Sequence, residues 1–259
     1  MVDLFGLTAG NVETFLLVWI RVTVMLFVFP IFSAQQIPQL ARIGLGLLIA
    51  FALYHAVPQV PPSHDILMLG AAALAQVALG LIVGFVASLV FVGVQFAGEV
   101  IDLQIGFAVA NVISPTTQTQ ITIIGELELT LATLVFLISD SHLLLLQGIA
   151  GSFHLVPLPF VGLDPSVAGN LPIFMTQALM VVFKIAAPAA VAIFIVNVAL
   201  SFMARVAPQM NVFVVGLPLQ IGAGLIMLSI SIPLLASVGP VVFADMARQM
   251  DAVMRGLHA

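Results

Sequence analysis

The 259-residue chain contains no cysteine, which excludes a disulfide, a thiolate nucleophile, a cysteine-ligated metal and a palmitoyl anchor. Charge is almost as scarce. Only 7% of the residues are Asp, Glu, Lys or Arg, against roughly 25% in a soluble domain. Six Lys and Arg stand against eleven Asp and Glu, a formal charge of -5 with no basic run, so nucleic acid and an anionic lipid surface are not supported as partners. Asp3 and Glu13 precede the first cation, Arg21, which is the wrong polarity for a cleavable signal peptide, and the hydrophobic start is expected to stay in the mature protein. What is abundant is apolar surface. With 62% hydrophobic residues and a mean hydropathy of +1.27, the chain cannot cover itself with polar groups. A bilayer or other proteins must take part of that surface.

Charge-free blocks between Arg21 and Arg42, Asp65 and Glu99, Lys184 and Arg205, and Arg205 and Asp245 are each long enough for a span of about 20 residues. The pattern predicts helices near 12–32, 38–57, 66–104, 121–151 with a break at Ser139 to Ser141, 171–204, 211–236 and 238–257. Ser33 to Pro38 ends in a proline suited to a helix start, while Pro58, Pro61 and Pro62 close the second helix. Gly106 to Gln120 is the longest polar interruption, and His154 to Pro172 is a second loop. The helices at 66–104 and 171–204 would run roughly 50 to 60 Å, nearly twice the hydrocarbon thickness of about 30 Å, so each is expected to bend or protrude, with Gly80, Gly84 and Pro188 as weak points. Arg205 and the pair Arg248 and Arg255 flank one apolar block, so charge asymmetry assigns no clean orientation unless Pro218 and Pro233 fold that block back.

Polar residues in such surroundings are the functional candidates. Glu99 and Asp102 lie three apart on one helix face, with Gln95 nearby, and Glu126 and Glu128 follow the polar loop. A carboxylate at the bilayer centre costs about 2.5 to 3.5 kcal/mol, so four together call for water, cations or partner Lys and Arg. They read as an aqueous pathway or proton relay or, more plainly, as groups at the membrane edge or paired with another subunit. Lys184, inside an apolar helix, has the same two readings: a coupling site, or an intersubunit ion pair. His142 and His154 lack the spacing of a helix-borne metal pair, and no metal or cofactor is expected. Gly44-Leu45-Gly46, Gly222-Ala223-Gly224 and Gly80-x-x-x-Gly84 read as close helix contacts rather than dinucleotide loops. No nucleophile elbow or Walker loop occurs, and no enzyme activity is expected.

Several segments, in order, resemble one family. They are Arg21-Val22-Thr23 leading to Phe29-Pro30-Ile31-Phe32-Ser33; Ile37-Pro38 and Arg42-Ile43-Gly44-Leu45; Gly98-Glu99-Val100-Ile101-Asp102 running through Gly106-Phe107 to Asn111 and Pro115; and His142-Leu143 to Phe153-His154-Leu155-Val156-Pro157. The most telling is Arg205-Val206-Ala207-Pro208-Gln209-Met210-Asn211-Val212-Phe213, continuing to Gly216-Leu217-Pro218. The chain resembles the FliR/SctT family of type III export-gate proteins over nearly its whole length. Ser141 departs from that pattern, where glycine is expected. Gly216 and Gln220 stand where the virulence-injectisome members are expected to have serine and lysine, which leans flagellar.

The resemblance implies an all-α, membrane-associated fold of long kinked helices and hairpins: one domain over 1–259, with a FliP-like part at about 1–204 followed by a FliQ-like hairpin at 205–259. It implies assembly with FliP and FliQ, with FlhB and FlhA alongside, into an inner-membrane portal of the flagellar basal body, much of it periplasmic to the membrane plane, that passes unfolded flagellar subunits. It also implies a pore plug at Gly106 to Thr122, built on Gly106, Phe107, Val109, Asn111, Val112, Ile113 and Pro115. Glu99, Asp102, Glu126, Glu128, Lys184 and Arg205 are then polar-pathway or intersubunit candidates, and Pro208, Gln209, Asn211, Phe213, Gly216 and Pro218 packing residues of the family motif. The rivals are an injectisome gate subunit and a small-solute transporter with Lys184 and Glu99 as its coupling pair.

Overall fold

The structure, a computed structural model, describes residues 9–34, 37–59, 61, 65–106, 122–159, 166–207, 209 and 212–258. Those residues form helices and connecting turns, with no strand among them: α1 (Ala9–Val28), α2 (Pro30–Ser33), α3 (Gln39–Tyr54), α4 (Ile66–Ile105), α5 (Ile123–Ile138), α6 (Ser141–Leu155), α7 (Ser166–Val206) and α8 (Val212–His258). Proline sets two of the starts, as Pro30 opens α2 and Pro38 immediately precedes α3. The interruption at 139–141 also forms. Asp140 takes a left-handed backbone (φ 54°) between the end of α5 and Ser141, the first residue of α6.

The C-terminal part departs from expectation. In place of separate helices at 211–236 and 238–257, α8 is one helix of 47 residues that contains Pro218, Pro233 and Pro240. Neither Pro218 nor Pro233 interrupts that helix. In apolar surroundings a break would orphan up to eight backbone groups, whereas each proline removes one N–H bond. Continuity is the cheaper outcome. The same reasoning keeps α4 helical through Gly80 and Gly84, and α7 through Pro188.

Among the described residues four helical stretches are long and apolar enough to cross a bilayer, Gly10–Val28, Ile66–Ile105, Val182–Val206 and Val214–Gly256, with a fifth if α5 and α6 count together. They differ in cover. The apolar window of α4 is 67% buried within the chain, those of α7 and α8 only 28% and 17%.

The chain divides into two compact units. The first comprises Met1–Leu89, Asp140–Phe174 and Phe243–Ala259. Its core includes Val18, Val22, Met25 and Leu26 of α1. α3 crosses α1 at Gly46, which packs on the Thr23 side chain, and α4 approaches α1 at Gly80 and Gly84. A Cβ on Gly80 would lie 2.9 Å from the Arg21 carbonyl oxygen, and one on Gly84 3.1 Å from that of Met25. The expected small-residue contact is therefore real at Gly46, Gly80 and Gly84, while Gly44 faces open space.

The second unit comprises Val90–Ser139 and Met175–Val242. Ile101, Ile105, Ile124, Ala189, Ile193 and Leu228 form its core. The end of α4 meets α5 where Gly98 lies against Gly125, and Gly224 of α8 receives the Ile105 side chain. Gly222, like Gly44, has nothing near it.

Candidate functional site

In the second unit the four candidate acids separate into two sorts. Glu126 and Glu128 are two residues apart, about 200° around a helix, so one faces out and the other in. Glu126 is exposed and accepts a hydrogen bond from Gln95 Nε2 at 3.5 Å, and Glu99 is half-buried within reach of its charge. Asp102 and Glu128 are buried.

Asp102 has a definite task. Thr122, at the N-cap of α5, makes no side-chain cap bond, and Asp102 Oδ2 instead accepts the Ile124 N–H at 3.0 Å from across the hairpin. This is the second amide of α5, one of those a cap residue satisfies, and a negative charge suits that end of the helix dipole. Glu128 points toward α8. The Ser231 hydroxyl stands between the Leu228 carbonyl oxygen at 2.8 Å and Glu128 Oε1 at 3.3 Å, with one proton for two acceptors.

Around the start of the 107–121 stretch, Gly106 adopts φ +91°, a conformation that glycine takes without strain. A Cβ there would lie 3.3 Å from Leu217 and 3.8 Å from Gln220 Oε1, and Gln220 Nε2 donates to Asn197 Oδ1. The other plug candidates, Phe107, Val109, Asn111, Val112, Ile113 and Pro115, lie outside the described residues, as do Pro208 and Asn211.

Lys184 and Arg205 are both exposed. Neither bonds a carboxylate among the described residues, so Lys184 and Glu99 are not brought together. Of the family-motif residues, Gln209 is exposed in the turn between α7 and α8, Phe213 is in the first turn of α8, Gly216 is buried against Leu200, and Pro218 is exposed within α8.

The first unit has a charged centre that the charge pattern alone did not single out. Arg21 is 1% exposed. Its Nε donates to Gln76 Oε1 at 2.7 Å, Nη1 to the Ser152 carbonyl at 2.9 Å and Nη2 to the Val156 carbonyl at 3.0 Å, while the guanidinium lies 4.4 Å from the centre of the Phe153 ring. A rigid fork thus caps the C-terminal end of α6, where a cation is favoured, and ties it to α1 and α4. The available signal was a lone cation in the first apolar helix. Similarly, Arg42 Nη2 donates to the Ala34 carbonyl at 2.6 Å and holds the turn before α3.

Residues 12–246 match the family described as bacterial export proteins, family 1. The chain belongs to that family. Among its relatives in this export family are the flagellar biosynthetic protein FliR of Bacillus subtilis, 36% identical over 236 residues (88% of this chain and 86% of the relative), and that of Escherichia coli, 29% identical over 225 residues (84% and 83%). The Yop proteins translocation protein T of Yersinia pestis is 29% identical over 213 residues (80% and 81%). The matched range spans residues of both units, from α1 with Arg21 to the acidic end of α4 and into α8.

Proposed function

We propose that this chain is the FliR-type subunit of a flagellar type III export gate in the bacterial inner membrane. It assembles with FliP and FliQ, beside FlhB and FlhA, into the portal through which unfolded flagellar proteins leave the cell. The observation that carries this reading is the family match over residues 12–246. The poor cover of α7 and α8 supports a chain that works inside an assembly. In the assembly, Glu99, Glu126, Lys184 and Arg205 meet opposite charges of neighbouring subunits. Gly106 and the stretch that follows plug the closed pore, Gly106 acting as the hinge. The chain acts as a conduit component, not an enzyme.

A flagellar rather than an injectisome role is favoured at two positions. Gly216 is close to Leu200, where a serine Cβ would sit 3.2 Å away, and Gln220 bonds Asn197, a contact a lysine would replace with a charge. The test is co-expression with FliP and FliQ. A stable complex that restores swimming to bacteria lacking their FliR-type gene is expected; a lone monomer that binds a metabolite would favour a transporter.

A further inference from the structure

The inner pair of acids is left without a role by intersubunit pairing. Asp102 is 3% exposed and Glu128 2%, which leaves no route for a Lys or Arg side chain from another subunit. Each has one oxygen held within the fold. The other, Asp102 Oδ1 and Glu128 Oε2, is buried with no hydrogen-bond partner among the described residues. Both groups lie along one face of α5, because Asp102 bonds Ile124 and Glu128 is four residues further on, about one turn or 5 to 6 Å. They are within electrostatic reach of each other.

Ser231 adds a separate geometric point. Its single hydroxyl proton is shared between the Leu228 carbonyl at 2.8 Å and Glu128 Oε1 at 3.3 Å, which leaves the lone pairs of its oxygen open to a cation. Two buried carboxylates and a part-buried hydroxyl thus lie beside a core formed by residues such as Ile105, Ile124 and Leu228. The other charged groups facing this region, Glu99 on α4 and Glu126 on α5, are negative too, and α7 and α8 bring no cation to it among the described residues. An arrangement of this kind is strongly unfavourable unless something positive joins it.

We propose that the free oxygens of Asp102 and Glu128, with Ser231 Oγ, bind one small monovalent cation of the sodium class. A magnesium ion dehydrates reluctantly and would need several retained waters in an apolar core, whereas a monovalent ion sheds its waters more easily. The bound ion draws α4, α5 and α8 together just below the start of the 107–121 stretch. The site stands or falls independently of the export role.

The test uses the full chain with its gate partners in nanodiscs. Thermal midpoints are measured in sodium, potassium and N-methyl-D-glucamine chloride at constant ionic strength. Wild type is expected to gain about 3 °C for each tenfold rise in sodium above the dissociation constant, with none in N-methyl-D-glucamine. Glu128→Gln is expected to have one midpoint in all three salts, no lower than wild type in N-methyl-D-glucamine. Equal wild-type midpoints in all three salts, or a sodium gain retained in the variant, overturn the proposal. Should the variant fail to fold, radioactive sodium binding to wild type decides: about one ion per chain supports the site, and none rejects it.

Discussion

Gly98 of α4 and Gly125 of α5 meet with no side chain between them, so a Cβ on Gly98 would lie 2.6 Å from the Gly125 Cα. The atoms in the way are backbone and cannot swing aside. Gly98→Ala is therefore expected to part the two helices and lower stability by about 1–3 kcal/mol. Gly222→Ala, which meets nothing within 4 Å, is the control and is expected to be neutral or up to about 1 kcal/mol stabilising. Thermal unfolding of both variants in detergent checks the pair, and equal losses would refute the close contact.

Arg21 cannot be replaced conservatively. Lysine offers one ammonium where three separate acceptors on α4 and around the end of α6 need a planar fork. Arg21→Lys and Arg21→Met are each expected to cost about 2–4 kcal/mol, through carbonyls left bare in an apolar core. Limited proteolysis should find new cleavage near the end of α6, and an unaltered digestion pattern would count against the capping role.

Asp102 caps α5 through an acceptor oxygen, which asparagine also has. Asp102→Asn should cost less than about 1 kcal/mol and Asp102→Ala about 1–2 kcal/mol. Hydrogen exchange at the Ile124 amide is expected to quicken in the alanine variant alone. Similar exchange in both variants would show that the carboxylate does not hold the helix start.

Lys184 is exposed and bonds nothing among the described residues, so Lys184→Glu should change the stability of the isolated chain by less than about 0.5 kcal/mol. Recovery of FliP with the chain should fall at least about tenfold if the ammonium meets a partner's carboxylate, a loss of about 1.4 kcal/mol. Undiminished recovery would place Lys184 in contact with lipid or water.

The plug is tested by leakage. Removing Asn111 to Thr119 from an assembled gate is expected to raise ion conductance across the membrane. A seal as tight as wild type's would reject the assignment.

Much of the helical plan is legible from local chemistry. Ser139 to Ser141 interrupts an apolar run with polar residues, and the chain does break there. Pro218 and Pro233 mislead, because proline's cost is local whereas ending a helix in apolar surroundings orphans many groups. The acids are legible as candidates but not in their separate tasks. Asp102 and Ile124 are 22 residues apart in sequence, and nothing local to either announces the bond. Arg21 and Val156 are 135 apart, and the acceptors there are main-chain carbonyls that every residue has. Gly44 and Gly46 look alike in sequence, yet only Gly46 has a helix against it.

The bareness of α7 and α8 has a bearing on cell physiology. A copy synthesised ahead of its neighbours presents Phe183, Phe194 and Phe202 to the proteases that police membranes. Surplus copies would be cleared, so the abundance of this chain should follow the supply of its neighbours more closely than the strength of its own promoter.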